Sequence, residues 1–101
     1  MIHSIESVKK IIIPILNDSP IVRVIVFGSY ARGEQVETSD IDMVIDSNGV
    51  LKGLDVFTWI HNIASVLPIP SDIYELREIK IGSNLQKIIQ EEGVVIYDQT
   101  G

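Results

Sequence analysis

Apolar residues recur at helical spacing near the start of the chain, at Ile5, Val8, Ile12 and Leu16, with Ile11 and Ile15 beside them. With Ser4 as N-cap, that period predicts a helix over residues 4–17. Pro14 lies inside it and predicts a kink, because proline removes one helix hydrogen bond. The run Asn17-Asp18-Ser19-Pro20 then breaks the element. Residues 21–27, IVRVIVF, are nearly all apolar and rich in β-branched side chains, which predicts a strand buried on both faces. Residues 40–46, DIDMVID, predict a second strand. Helical spacing returns over 53–67, where Leu54, Phe57, Ile60, Ile63 and Ala64 fall on one face, before Pro68-Ile69-Pro70-Ser71 stops it. A third strand is expected over 72–77, with Ile73 and Glu75 on one side and Asp72, Tyr74 and Leu76 on the other. A short helix over 83–92, capped by Ser83 and ended by Gly93, leads to a last strand at 94–98. The order α-β-turn-β-α-β-α-β predicts an α/β or α+β domain with one sheet and helices packed against it.

A length of 101 residues argues for a single domain over 1–101, and no repeat or linker interrupts it. Apolar residues make up 46% and charged residues 22%, a globular balance. With no cysteine in the chain, disulfides and zinc-thiolate sites are excluded and a cytoplasmic setting fits. The N-terminus lacks the marks of a signal peptide, and its longest apolar run, IIIPIL, is too short to cross a bilayer. A soluble protein without a membrane partner is therefore expected. Eight Lys and Arg against fourteen Asp and Glu give a net charge of −6. That argues against direct binding of nucleic acid, whose phosphates call for a basic face, and favours a basic protein partner.

Chemistry concentrates in VIVFGSYARGEQVETSDIDMVID, residues 24–46. Asp40 and Asp42 stand one residue apart, so a strand projects both carboxylates to the same side, where they repel each other. A hard divalent cation would relieve that repulsion. Mg²⁺ commonly takes one or two carboxylates and completes its shell with water and substrate phosphate. The Gly28-Ser29 turn supplies the complement. Glycine lets the backbone approach a ligand closely, N–H groups opening a helical turn face a phosphate, and the Ser29 hydroxyl adds a donor. Arg32 could reach a phosphate as a further contact and could equally be a surface residue. Carboxylate-held metal and a donor cradle together suit transfer from a nucleoside triphosphate. Asp72 opens the third strand and is the candidate third carboxylate, lying beside Asp40 and Asp42 if strands two and three are neighbours.

The segment GSYARGEQVETSDID, with Gly-Ser, ten residues and then Asp-x-Asp, resembles the signature of the DNA polymerase β-type nucleotidyltransferase superfamily. SDIYEL, in the third-strand position, strengthens the likeness, which spans roughly residues 20–98. At this length the chain most resembles the minimal branch, the MNT antitoxins paired with HEPN toxins. The resemblance implies a nucleotidyltransferase fold with one mixed sheet. It implies that Gly28 and Ser29 hold the triphosphate of ATP. Asp40 and Asp42 would ligate Mg²⁺, and Asp72 would be the third catalytic and metal-site carboxylate, acting as base toward the acceptor. The implied reaction is transfer of AMP to a tyrosine of a HEPN ribonuclease toxin, which silences it. Tyr30 stands where an arginine is common in the family.

Larger enzymes of the superfamily carry an extra helical domain as the far wall of the cleft; none is expected here, so a partner or a second copy is expected to close it, as a homo- or hetero-oligomer. Two other functions compete with the enzyme. One is a non-catalytic antitoxin that masks a HEPN partner by complex formation. The other is a transferase acting on a small molecule such as an antibiotic, against which the missing acceptor-binding domain counts.

Overall fold

A computed structural model describes residues 2–99. Met1, Thr100 and Gly101, which the expected 1–101 domain includes, lie outside the described residues. The elements run α1 (Ile5–Leu16), β1 (Arg23–Phe27), α2 (Ser29–Arg32), β2 (Ile41–Asp46), α3 (Leu54–Val66), β3 (Ser71–Glu75), a 3₁₀ turn (Leu76–Glu78), α4 (Asn84–Glu92) and β4 (Val94–Asp98). The strands form one mixed sheet in the order β3-β2-β1-β4. β1 is antiparallel to β2 and β4, whereas β2 and β3 run parallel across the connection through α3.

The sheet is covered on both faces, which accounts for the unbroken apolar run of β1. Val24 and Val26 join Ile41, Met43 and Ile45 in a core with Val8, Ile12 and Leu16 of α1 and Val56 and Ile63 of α3. Ile25, Phe27 and Val44 point the other way, onto Ile89 of α4. The first strand is shorter than the expected 21–27, yet its lead-in stays bonded: the Val22 N–H donates to the Asp46 carbonyl at 2.7 Å. α1 opens on a reciprocal cap, the Ser7 N–H donating to Ser4 Oγ at 3.1 Å and the Ser4 N–H to Ser7 Oγ at 3.0 Å. Pro14 sits on the exposed side of this helix, which continues past it to Leu16.

Two expectations need correction. The third strand ends at Glu75 and not at residue 77, because the Glu75 carboxylate accepts from the Arg77 N–H at 2.8 Å and turns the chain into the 3₁₀ segment. The core face of α3 is also rotated from the expected one. Val56 and Ile63 are buried, Ile60 is partly buried, while Leu54 and Phe57 are 82% and 65% exposed. Leu51 and Leu67, buried just outside the two helix ends, anchor the helix so that the 56–60–63 line faces the sheet. No helix among the described residues is long and apolar enough to cross a membrane.

Candidate functional site

The site lies where β1 ends and β2 begins. β1 leaves the core at Phe27, which is paired with Asp42 across the ladder. The chain then turns at Gly28 with φ 76° and ψ −152°, a combination that only glycine adopts without strain. A second constraint acts on the same residue: a Cβ here would run into the Asp42 carboxylate. Gly28 thus brings the start of α2, with Ser29 in its first position, directly over Asp42. Tyr30 turns inward and is buried in the core at 3% exposure, so the position where the family often carries arginine does packing work here.

The parallel pairing of β2 with β3 sets Asp42 opposite Asp72. The condition that strands two and three be neighbours is therefore met. Asp40 lies one residue ahead of β2 and is exposed, as is Asp72, whereas Asp42 is half-buried. The electrostatics report the same clustering. The Asp42 carboxyl is pushed above the usual range by burial first, then by the charges of Asp72 and Asp40 and a hydrogen bond with Asp72, against a smaller opposing pull from Arg32. A half-buried carboxylate crowded by two neighbouring acidic side chains is a natural seat for a cation. As they stand, no three acidic, His or Cys side chains among the described residues converge as a ready-made metal site. Mg²⁺ needs no such cage, since it takes as few as one or two carboxylates and fills its shell from water and phosphate.

The structure therefore brings together Gly28, Ser29, Asp40, Asp42 and Asp72. Arg32 is near them but engaged elsewhere: its Nε donates to Glu34 at 2.6 Å and an Nη to Glu92 at 2.9 Å. Glu92 is separated from Arg32 by 60 positions, and nothing in the local sequence pattern links the end of α4 to the end of α2. Phe27 and Tyr74 add a tilted aromatic pair, centroids 6.1 Å apart, on the same face of the sheet as Asp42 and Asp72. Asp46 is nearly buried and structural, accepting from Arg23 at 3.2 Å and from the Asn48 N–H at 2.8 Å.

A family model described as polymerase beta, nucleotidyltransferase matches residues 9–100. Two proteins of Methanocaldococcus jannaschii, both provisionally named protein adenylyltransferases, are similar to the chain. One is 37% identical over 76 residues, which span 75% of this chain and 82% of the relative. The other is 35% identical over 71 residues, 70% of this chain and 71% of the relative. Among solved structures, a toxin–antitoxin crystal structure with AMP-PNP superposes with a TM-score of 0.73 at 24% identity, covering 91% of this chain and 74% of that one. A complex of tri-AMPylated Shewanella oneidensis HEPN toxin with its MNT antitoxin gives 0.68 at 21% identity, covering 93% and 72%. At these identities the likeness is one of fold.

Proposed function

This chain belongs to the polymerase beta nucleotidyltransferase family, and from that premise we propose that it transfers AMP from ATP to a hydroxyl of a protein, the acceptor being a tyrosine of a HEPN toxin that the transfer silences. The observation that carries the reading is the register Asp42–Asp72, which sets two carboxylates face to face beneath the Gly28 turn. The protein relatives named as adenylyltransferases support the acceptor class, and the AMPylated toxin held by a similar antitoxin supports the partner.

In this reading Asp72 takes the proton from the acceptor hydroxyl as its oxygen bonds to the α-phosphorus of ATP. The bond from that phosphorus to the bridging oxygen breaks, and pyrophosphate leaves with the electron pair. Ser29 and Arg32 hold the departing phosphates, with the backbone admitted close to them by Gly28. Asp40 and Asp42 would hold Mg²⁺, which neutralises phosphate charge when bound. The domain works as one unit in the cytoplasm, and the HEPN protein closes the open side of the cleft.

The test is incubation with a HEPN-domain protein and ATP labelled at the α- or the γ-phosphate, in the presence of Mg²⁺. Label on the HEPN protein from the α-position alone, lost with Asp40→Asn/Asp42→Asn, supports AMP transfer. Label from the γ-position would make the chain a kinase, and no label in a stable, toxin-blocking complex would make it a masking antitoxin.

A further inference from the structure

The Arg32 guanidinium lies near enough to Asp42 for its charge to act on that carboxylate. Its bonds nonetheless go to two glutamates, one from the loop after α2 and one from the last position of α4. The two ties differ in rigidity. The Glu34 side chain is 64% exposed on a loop, while that of Glu92 is 31% exposed at the end of a helix. That helix end is pinned. The Gly93 N–H donates to the Ile89 carbonyl at 2.8 Å, and a Cβ on Gly93 would meet the same carbonyl oxygen and the Ile25 side chain. The junction therefore sits hard against β1, and Glu92 inherits a fixed place beside the nucleotide turn.

An arginine has five N–H donors in a planar fork. With Nε and one Nη committed to carboxylates, the other donors stay available in a set direction. Without a tie, a long cationic side chain beside three carboxylates has an alternative: to fold onto Asp40 or Asp42 and neutralise the groups a cation needs. We propose that Glu92 is a positioning residue, holding the Arg32 guanidinium off the acidic cluster and turned toward the incoming triphosphate. This role presupposes that Arg32 contacts phosphate, as in the reading above.

The test is calorimetric titration of the full chain with ATP in the presence of Mg²⁺ and without an acceptor. The variants are Glu92→Gln, Arg32→Ala and their combination, each followed also by thermal melting. Glu92→Gln is expected to weaken ATP binding about three- to tenfold, the scale of one compromised charge-assisted contact. Arg32→Ala is expected to weaken it at least as much, and the double variant no further than Arg32→Ala, because the two residues act as one unit. Melting temperatures of the three variants stay close to that of the parent. Unchanged or tighter ATP binding in Glu92→Gln overturns the tether, as does a full additive loss in the double variant. If Arg32→Ala binds ATP normally, the phosphate contact itself fails and takes the tether with it. If Arg32→Ala is impaired while Glu92→Gln is not, only the tether fails.

Discussion

Gly28→Ala tests the turn that joins the fold to the site. Two costs can be separated at this position. The first is backbone strain: φ 76° with ψ −152° lies in a region reserved for glycine, and holding an alanine there costs about 1–3 kcal/mol. Against a total stability of about 5–15 kcal/mol for a domain of this size, the variant stays folded. At about 4–8 °C per kcal/mol, its melting temperature should fall by about 5–20 °C. The second cost is functional. The added methyl occupies the space of the Asp42 carboxylate, and that carboxylate, as the movable end of a side chain, gives way. Displacing a reacting group by about 1 Å costs about a hundredfold in rate. Gly33→Ala is the control. It has φ 70°, so it too is strained, but its Cβ would meet nothing within 4 Å. Both variants should lose stability in a thermal melt, and only Gly28→Ala should lose transfer when assayed well below its melting point. A Gly28→Ala protein that melts with the parent and transfers at the parent rate would refute the close approach of turn and carboxylate.

Asp42→Asn should raise the melting temperature at neutral pH while abolishing transfer. The raised folded pKa of Asp42 means that the folded state holds a proton more tightly than the unfolded one. Its stabilising contribution is therefore complete below the ordinary aspartate range and is lost as pH rises through the folded value. Melts across that window should show a downward slope with pH in the parent that flattens in Asp42→Asn, and an identical slope would count against the crowded cluster. Asp72→Asn should lower the turnover rate by about 10²–10⁴ and leave ATP binding within a few-fold; a loss confined to ATP affinity would deny Asp72 the role of base. On α3, Val56→Ala should cost about 2 kcal/mol as a buried truncation, while Leu54→Gln should shift stability by no more than about 0.5 kcal/mol. The reverse ranking in denaturant unfolding would restore the helix face expected from the sequence.

The contrast between those two α3 positions shows where sequence patterns stop. Leu54, Phe57 and Ile60 lie on one side of a helix, and so do Val56, Ile60 and Ile63; periodicity alone gives both stripes. The choice comes from Leu51 and Leu67, which are buried beyond the helix ends and set its rotation. Strands were more legible, since β1 announces its two-sided burial by being apolar at nearly every position. The acidic cluster was legible for a different reason. Gly28, Ser29, Asp40 and Asp42 are local in sequence, and the turn chemistry ties them together. Asp72 depended on a strand order that the sequence left conditional and that the parallel β2–β3 ladder supplies. The Arg32–Glu92 bond could not be foreseen, because it depends on how α4 docks against the end of β1. Tyr30 differs again: a polar-looking position in the motif is filled from the core side.

Asp40, Asp42 and Asp72 are proposed to form one adenylyl-transfer site acting on a protein. Intact mass spectrometry of a HEPN-domain protein, after incubation with this chain, ATP and Mg²⁺, tests it most directly. The expected result is a gain in whole AMP units, absent when Asp42→Asn or Asp72→Asn replaces the parent. A HEPN protein that gains the same mass with either variant, or that gains none while the parent chain binds ATP and the HEPN protein together, would contradict it.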